Sequence, residues 1–163
     1  MKRFFPLLLV LLATSLWSWR QAPKMLPTRA NCAVHGVHLG YDEAQVLQVV
    51  GKPDDVESYY PKMREDVTVW TWGKSKPPDL PMLQVIFEKS LVCSVWGTSL
   101  AVGSKDYQLD AGRPLSSVEF LGRPFRSEQT HWLEDTTWKF PEVTITVLSQ
   151  GVVSQVRIDL PRD

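Results

Sequence analysis

Cysteine is scarce in this chain: Cys32 and Cys93 are the only two in 163 residues. They can form at most one bridge, so a fold stapled by several disulfides is excluded. Histidine is nearly as rare, at three. Runs of one charge are also missing, since eighteen basic residues are interspersed with eighteen acidic ones. Nucleic acid requires a concentrated basic face to neutralise phosphates, so it is not an expected partner. The nine glycines stand singly. No Walker or dinucleotide fingerprint is among them, and no phosphate-cradling loop or nucleotide cofactor is expected. No G-x-S-x-G elbow accompanies the serines. What the chain does have is apolar bulk: 44% hydrophobic residues and seven tryptophans, enough to bury a core. Its length allows one domain or two small ones in tandem.

The N-terminus differs in kind from the rest. "MKRFFPLLLVLLATSLWSW" (1–19) sets Lys2 and Arg3 ahead of an apolar run, the charged and hydrophobic regions of an export signal. Ala13–Ser15 offers a small-x-small cleavage site, but Leu16, Trp17 and Trp19 follow it. Residues 4–19 fall a little short of the roughly 17–25 needed to span a bilayer. The tryptophans beside Arg20 nevertheless suit an interfacial anchor. Both outcomes stay open, a cleaved signal or a retained membrane anchor; an exported, periplasmic or extracytoplasmic location is expected either way.

After a polar linker (20–33) one pattern is written twice, over 34–100 and 104–163. In "GYDEAQVLQVVGKP" (Gly40–Pro53) Asp42 and Gln45 form a capping box. Val46, Val49 and Val50 share a helical face, and Gly51 with Pro53 ends the helix. "GRPLSSVEFLGRP" (Gly112–Pro124) repeats the grammar, with Pro114 in the first turn and a Leu115, Val118, Leu121 stripe. Each is followed by an acidic pair with alternating aromatics, "EDVTVWTW" and "EDTTWKF", and then by a hairpin of period-two alternation, "LQVIFEKSLVCSVW" and "VTITVLSQGVVSQVRI". The expected fold is α+β: two tandem repeats, each a short helical region packed on a three- to four-stranded antiparallel sheet, preceded by an N-terminal apolar helix. "GTSLAVGSKD" (Gly97–Asp106) would be the junction.

These residues, "GYDEAQVLQVVGKP", "VWTW" and "LQVIFEKSLVCSV", resemble the unit of the SmpA/OmlA outer-membrane-assembly lipoproteins and of the β-lactamase inhibitory proteins. The resemblance implies a helix pair on one face of an antiparallel sheet, in proteins that bind or scaffold without catalysis. It implies no functional site residue.

Chemistry finds little support. Cys32, His35 and His38 with Asp42 supply one short-spaced pair, where a zinc site usually needs two, so no metal is expected. Cys32 and Cys93 form one disulfide or remain buried thiols. His131 stands in an acidic loop without an orienting partner for a nucleophile, and the pairs Asp54-Asp55 and Glu134-Asp135 read as polar loops. No catalytic residue and no cofactor is expected. Strand alternation places Trp70, Trp72, Leu83, Val85, Phe87, Trp138 and Phe140 inward. It sends Val67, Val69, Thr71, Ile86, Val92 and Trp96 outward in the first copy, and Thr137, Lys139, Thr144, Thr146, Val153, Gln155 and Arg157 in the second. The first outer face is apolar where a solvated sheet would be polar. A contiguous apolar patch marks an interaction surface, with Trp96 as anchor and Tyr59 and Tyr60 as rim. The alternative is a face covered from within, by residues 20–38 or the other repeat. The function expected is an exported, non-catalytic envelope protein that binds a protein partner in an assembly or scaffold role. Two other readings stand beside it: a secreted enzyme inhibitor and a glycan-binding module.

Overall fold

A computed structural model describes residues 26–58, 66–73, 82–130 and 133–161. Among these the protein is mostly β. Its strands are β1 (Cys32–Val34), β2 (Asp55–Ser58), β3 (Val67–Trp72), β4 (Leu83–Glu88), β5 (Leu91–Gly97), β6 (Ser99–Val102), β7 (Ser104–Asp110), β8 (Arg126–Thr130), β9 (Leu133–Lys139), β10 (Thr144–Ser149) and β11 (Val153–Asp159). The helical elements are α1 (Glu43–Val50) and a 3₁₀ helix, Leu115–Leu121. One antiparallel sheet of eight strands runs β2-β3-β4-β5-β11-β10-β9-β8, and a three-stranded sheet runs β1-β6-β7.

This corrects the expected α+β architecture of two tandem repeats, each with its own sheet. The last strands of the two meanders, β5 and β11, pair directly, with Trp96 opposite Arg157 and Val95 opposite Ile158. Each meander's open edge is thereby consumed by the other, which leaves a single sheet with only two edges. The expected junction is no connector either: β6 and β7 form a hairpin, and the end of the expected linker supplies β1, which pairs with β6. The expected N-terminal apolar helix and signal (1–19) lie outside the described residues.

Local chemistry explains the two helical elements. In α1, Asp42 accepts from the Gln45 backbone N–H at 2.8 Å while the Gln45 side chain accepts from the Asp42 N–H at 2.9 Å. Gly51, at φ +79°, closes the helix, a conformation that suits glycine. Of its apolar face only Val46 is fully buried, and Val49 is exposed. The second helix is 3₁₀ rather than α. Leu115, Val118 and Leu121 recur every third residue, and a three-residue turn stacks them on one face; Val118 and Leu121 are buried there. Pro114 stands just outside as the cap. Both helices are set by the same backbone device. Gly40 N–H donates to Val92 O and Val92 N–H to Tyr41 O; Gly112 N–H donates to Val153 O and Val153 N–H to Arg113 O.

The helices and the small sheet lie on one face of the large sheet. Val34, Val46, Leu100, Val102, Leu109, Val118 and Leu121 join Trp70, Val85, Phe87, Val95, Trp138, Ile145, Val156 and Ile158 in one core. Gly97 marks the tightest approach: a Cβ there would come within 2.6 Å of Val34 and 2.7 Å of His35. Trp138 ties the 3₁₀ helix down by donating its indole N–H to Gly122 O at 3.0 Å.

Candidate functional site: the outer sheet face

Register assigns the opposite face. One row across the strands reads Val69, Ile86, Ser94, Asp159, Thr144, Lys139. The next reads Thr71, Gln84, Trp96, Arg157, Thr146, Thr137. In these rows β3, β4 and β5 set Val69, Ile86 and Trp96 beside the polar Thr71, Gln84 and Ser94, whereas β11, β10 and β9 contribute only polar side chains, among which the Thr137 and Thr146 hydroxyls lie 3.2 Å apart. Val67, Val69, Ile86 and Trp96 are all partly buried. Tyr59 and Tyr60, the expected rim, lie outside the described residues.

Two residues expected on this face are elsewhere. Val92 is fully buried and Val153 nearly so, both in the core. Each follows a hairpin turn and precedes a bulge. Phe87 pairs with Val92 but Ile86 with Ser94, leaving Cys93 extra; Ser149 pairs with Val153 but Leu148 with Gln155, leaving Ser154 extra. An extra residue reverses which side chains face inward. The inward expectations for Trp70, Leu83, Val85, Phe87 and Trp138 agree with their burial.

The centre of the face is organised by Arg157. Its guanidinium lies over the Trp96 ring at 4.6 Å to the centroid, a cation–π contact. Its Nε lies 2.5 Å from an Asp159 carboxylate oxygen. Beside them a cleft of about 190 Å³ is lined by Lys139, Thr144, Arg157, Asp159 and Leu160. Lys139 itself reaches over the Phe125 ring, 4.6 Å from its centroid. The sequence placed Trp96 and Arg157 outward but gave no signal that they would meet, because pairing between distant strands is not written in either.

The Cys-His-His stretch does not converge. Cys32 is buried in β1, its thiol pushed up to about 12, mainly by desolvation and against a backbone hydrogen bond near Thr28. His35 Nε2 accepts from the Thr98 N–H at 3.2 Å and lies 3.0 Å from the Thr98 hydroxyl. Burial lowers its pKa, against the raising field of Asp110. His38 turns away, its Nδ1 3.3 Å from Arg29 O and its ring 5.1 Å from Tyr41. No three metal-ligating side chains gather among the described residues. Cys32 and Cys93 are thiols, not a bridge; Cys93 Sγ donates to Ile86 O at 3.4 Å. His131 lies outside the described residues.

No family model matches the chain, and no curated protein does. Solved structures do. An extracellular protein containing an SCP domain from Bacillus anthracis str. Ames matches with TM-score 0.49 and 13% identity, over 74% of this chain and 43% of that one. A cysteine-rich secretory protein from Staphylococcus aureus subsp. aureus Mu50 matches with TM-score 0.51 and 17% identity, over 84% of this chain and 48% of that one. This chain therefore has a fold found in a secretory protein of that description, and it spans less than half of either neighbour's length. The fold shared with the Staphylococcus aureus protein, together with the single eight-stranded sheet, overturns the resemblance to the SmpA/OmlA lipoproteins and the β-lactamase inhibitory proteins, which rested on short motifs that mark helix ends and hairpins in many folds. Among the described residues no helix is long and apolar enough to cross a membrane.

Proposed function

We propose that this is an exported, non-catalytic module that binds a protein partner through the outer face of its large sheet. Export is supported by the charged and apolar N-terminal sequence and by the extracellular and secretory descriptions of the two structural neighbours. The observation that carries the binding role is the outer row Val69–Ile86 with Val67 and Trp96 beside it, apolar side chains on the face opposite the core. A sheet face turned to water alone would alternate to polar residues there, as the other half of this sheet does. That the module is non-catalytic is part of the same proposal; it is supported by His35, the histidine with a shifted pKa, being taken up by Thr98.

A photocrosslinking residue at Ile86 should capture a partner in the cells that export the protein, whereas one at the exposed Leu47 of α1 should not. Trp96→Ala should weaken that capture by about 2 kcal/mol or more, as a hot-spot truncation does. Equal capture from both positions, or full capture by the Trp96 variant, would remove the outer face from the function.

A further inference from the structure

We propose that the cleft between Lys139, Thr144, Arg157 and Asp159 binds a carboxylate presented by an extended acidic-aliphatic protein segment, in which an aliphatic side chain four residues before the acidic one rests on Ile86. The proposal rests on the outer-face reading above and names the chemistry of its partner. Charge is the first argument. Two cations face one carboxylate in the lining, so an excess of one positive charge remains, and the Thr144 hydroxyl adds a neutral donor. Orientation is the second. Asp159 lies against Nε of Arg157 as an ion-pair partner without a hydrogen bond at Nε, and Trp96 supports the flat of the guanidinium, while no described residue accepts from its two Nη groups. A guanidinium fixed in this way presents its paired Nη donors at little entropic cost, the arrangement that suits carboxylate.

Spacing is the third argument. Ile86 and Thr144 lie in one cross-strand row, with Ser94 and Asp159 between them. Three strand spacings separate them by roughly 14 Å, and an extended chain returns a side chain to the same side about every 6.7 Å. Residues i, i+2 and i+4 of a crossing segment therefore reach from the apolar row to the cleft. A pattern of aliphatic, x, x, x, acidic thus fits, with the aliphatic residue on Ile86 and the acidic one in the cleft.

The test titrates the full chain with the peptide acetyl-Leu-Ser-Leu-Ser-Glu-amide and with its glutamine counterpart, following the indole N–H signals by NMR. The glutamate peptide should bind about tenfold more tightly, the scale of a hydrogen bond to a charged group, and added salt should narrow the gap. Arg157→Gln should abolish the preference, and Lys139→Gln, at an exposed position that does not hold the fold, should reduce it. Equal binding of the two peptides, or no binding of either, overturns the proposal; equal binding that Ile86→Ala removes would leave the outer-face reading standing without it. A glutamate-peptide affinity that Ile86→Ala leaves unchanged supports the carboxylate cleft and counts against that reading. Free glucuronate binding as tightly as the peptide would overturn a protein source for the carboxylate.

Discussion

Trp70 and His35 show how single residues hold the two layers together. Trp70 is 7% exposed and packs on Phe87 with ring centroids 4.7 Å apart, so Trp70→Ala leaves a cavity that neighbouring strands cannot close. The expected loss is roughly 3–5 kcal/mol, measured by urea denaturation; a loss below about 1 kcal/mol would contradict the packing. His35 makes stability depend on pH. It sits in the left-handed region at φ +51° and takes the Thr98 N–H on Nε2, which requires the neutral ring with its proton on Nδ1. Its folded pKa lies below the ordinary 6.5, so beneath about pH 6.5 the unfolded chain binds a proton that the folded chain refuses. The stabilising contribution is whole above that pH and is lost as pH falls through the folded value. Asp110, lowered by the Ser99 hydroxyl and then by Gln108, adds a loss only further down, below the usual carboxylate range. Thermal melts at pH 7.5 and 5.5 should differ more for the wild type than for His35→Asn, a residue that tolerates the left-handed backbone. An unchanged difference would show that His35 does not titrate on unfolding.

At the scale of elements, the sequence was informative where a signal is local. The capping box at Asp42 and Gln45, the stop at Gly51 and the hairpin β4–β5 each depend on residues within a few positions of one another, and each is found where those residues predict. Three kinds of feature escaped. Strands β2 and β8 are short, exposed and polar, with the edge-blunting charges Asp55, Glu57, Arg126 and Glu128; such composition reads as loop while serving as an edge. The bulges at Cys93 and Ser154 shift alternation by one residue, which hid the burial of Val92 and Val153. The 3₁₀ helix was visible as a stripe of period three, Leu115, Val118, Leu121, but a stripe three residues apart is shared with α-helices. For the candidate site, the apolar outward residues Val67, Val69, Ile86 and Trp96 were legible from alternation alone. The Arg157–Trp96 stack was not, because it depends on β5 meeting β11, where Arg157 comes 61 positions after Trp96 in the chain.

That seam decides the behaviour of the whole molecule. Residues 30–100 contain β1, α1 and β2–β5, yet the strand they would leave unpaired is a central one. Along Ser94–Gly97 its backbone loses Arg157 and its neighbours, and Val95 loses contact with a core that includes Val156 and Ile158. β1 loses most of β6, and Leu100 loses Leu109 and the rest of β7 as well. An unpaired central strand flanked by buried apolar side chains is a template for intermolecular pairing, and a fragment of that size has little apolar burial to spare. The fragment should therefore aggregate or melt without a cooperative transition, whereas the full chain should unfold in one step seen alike by tryptophan fluorescence and far-UV circular dichroism. Size-exclusion chromatography and a thermal scan of both proteins make the comparison. A monomeric fragment that melts cooperatively near the midpoint of the full chain would mean that β5 does not depend on β11, and the single eight-stranded sheet would then be two units in contact rather than one structure.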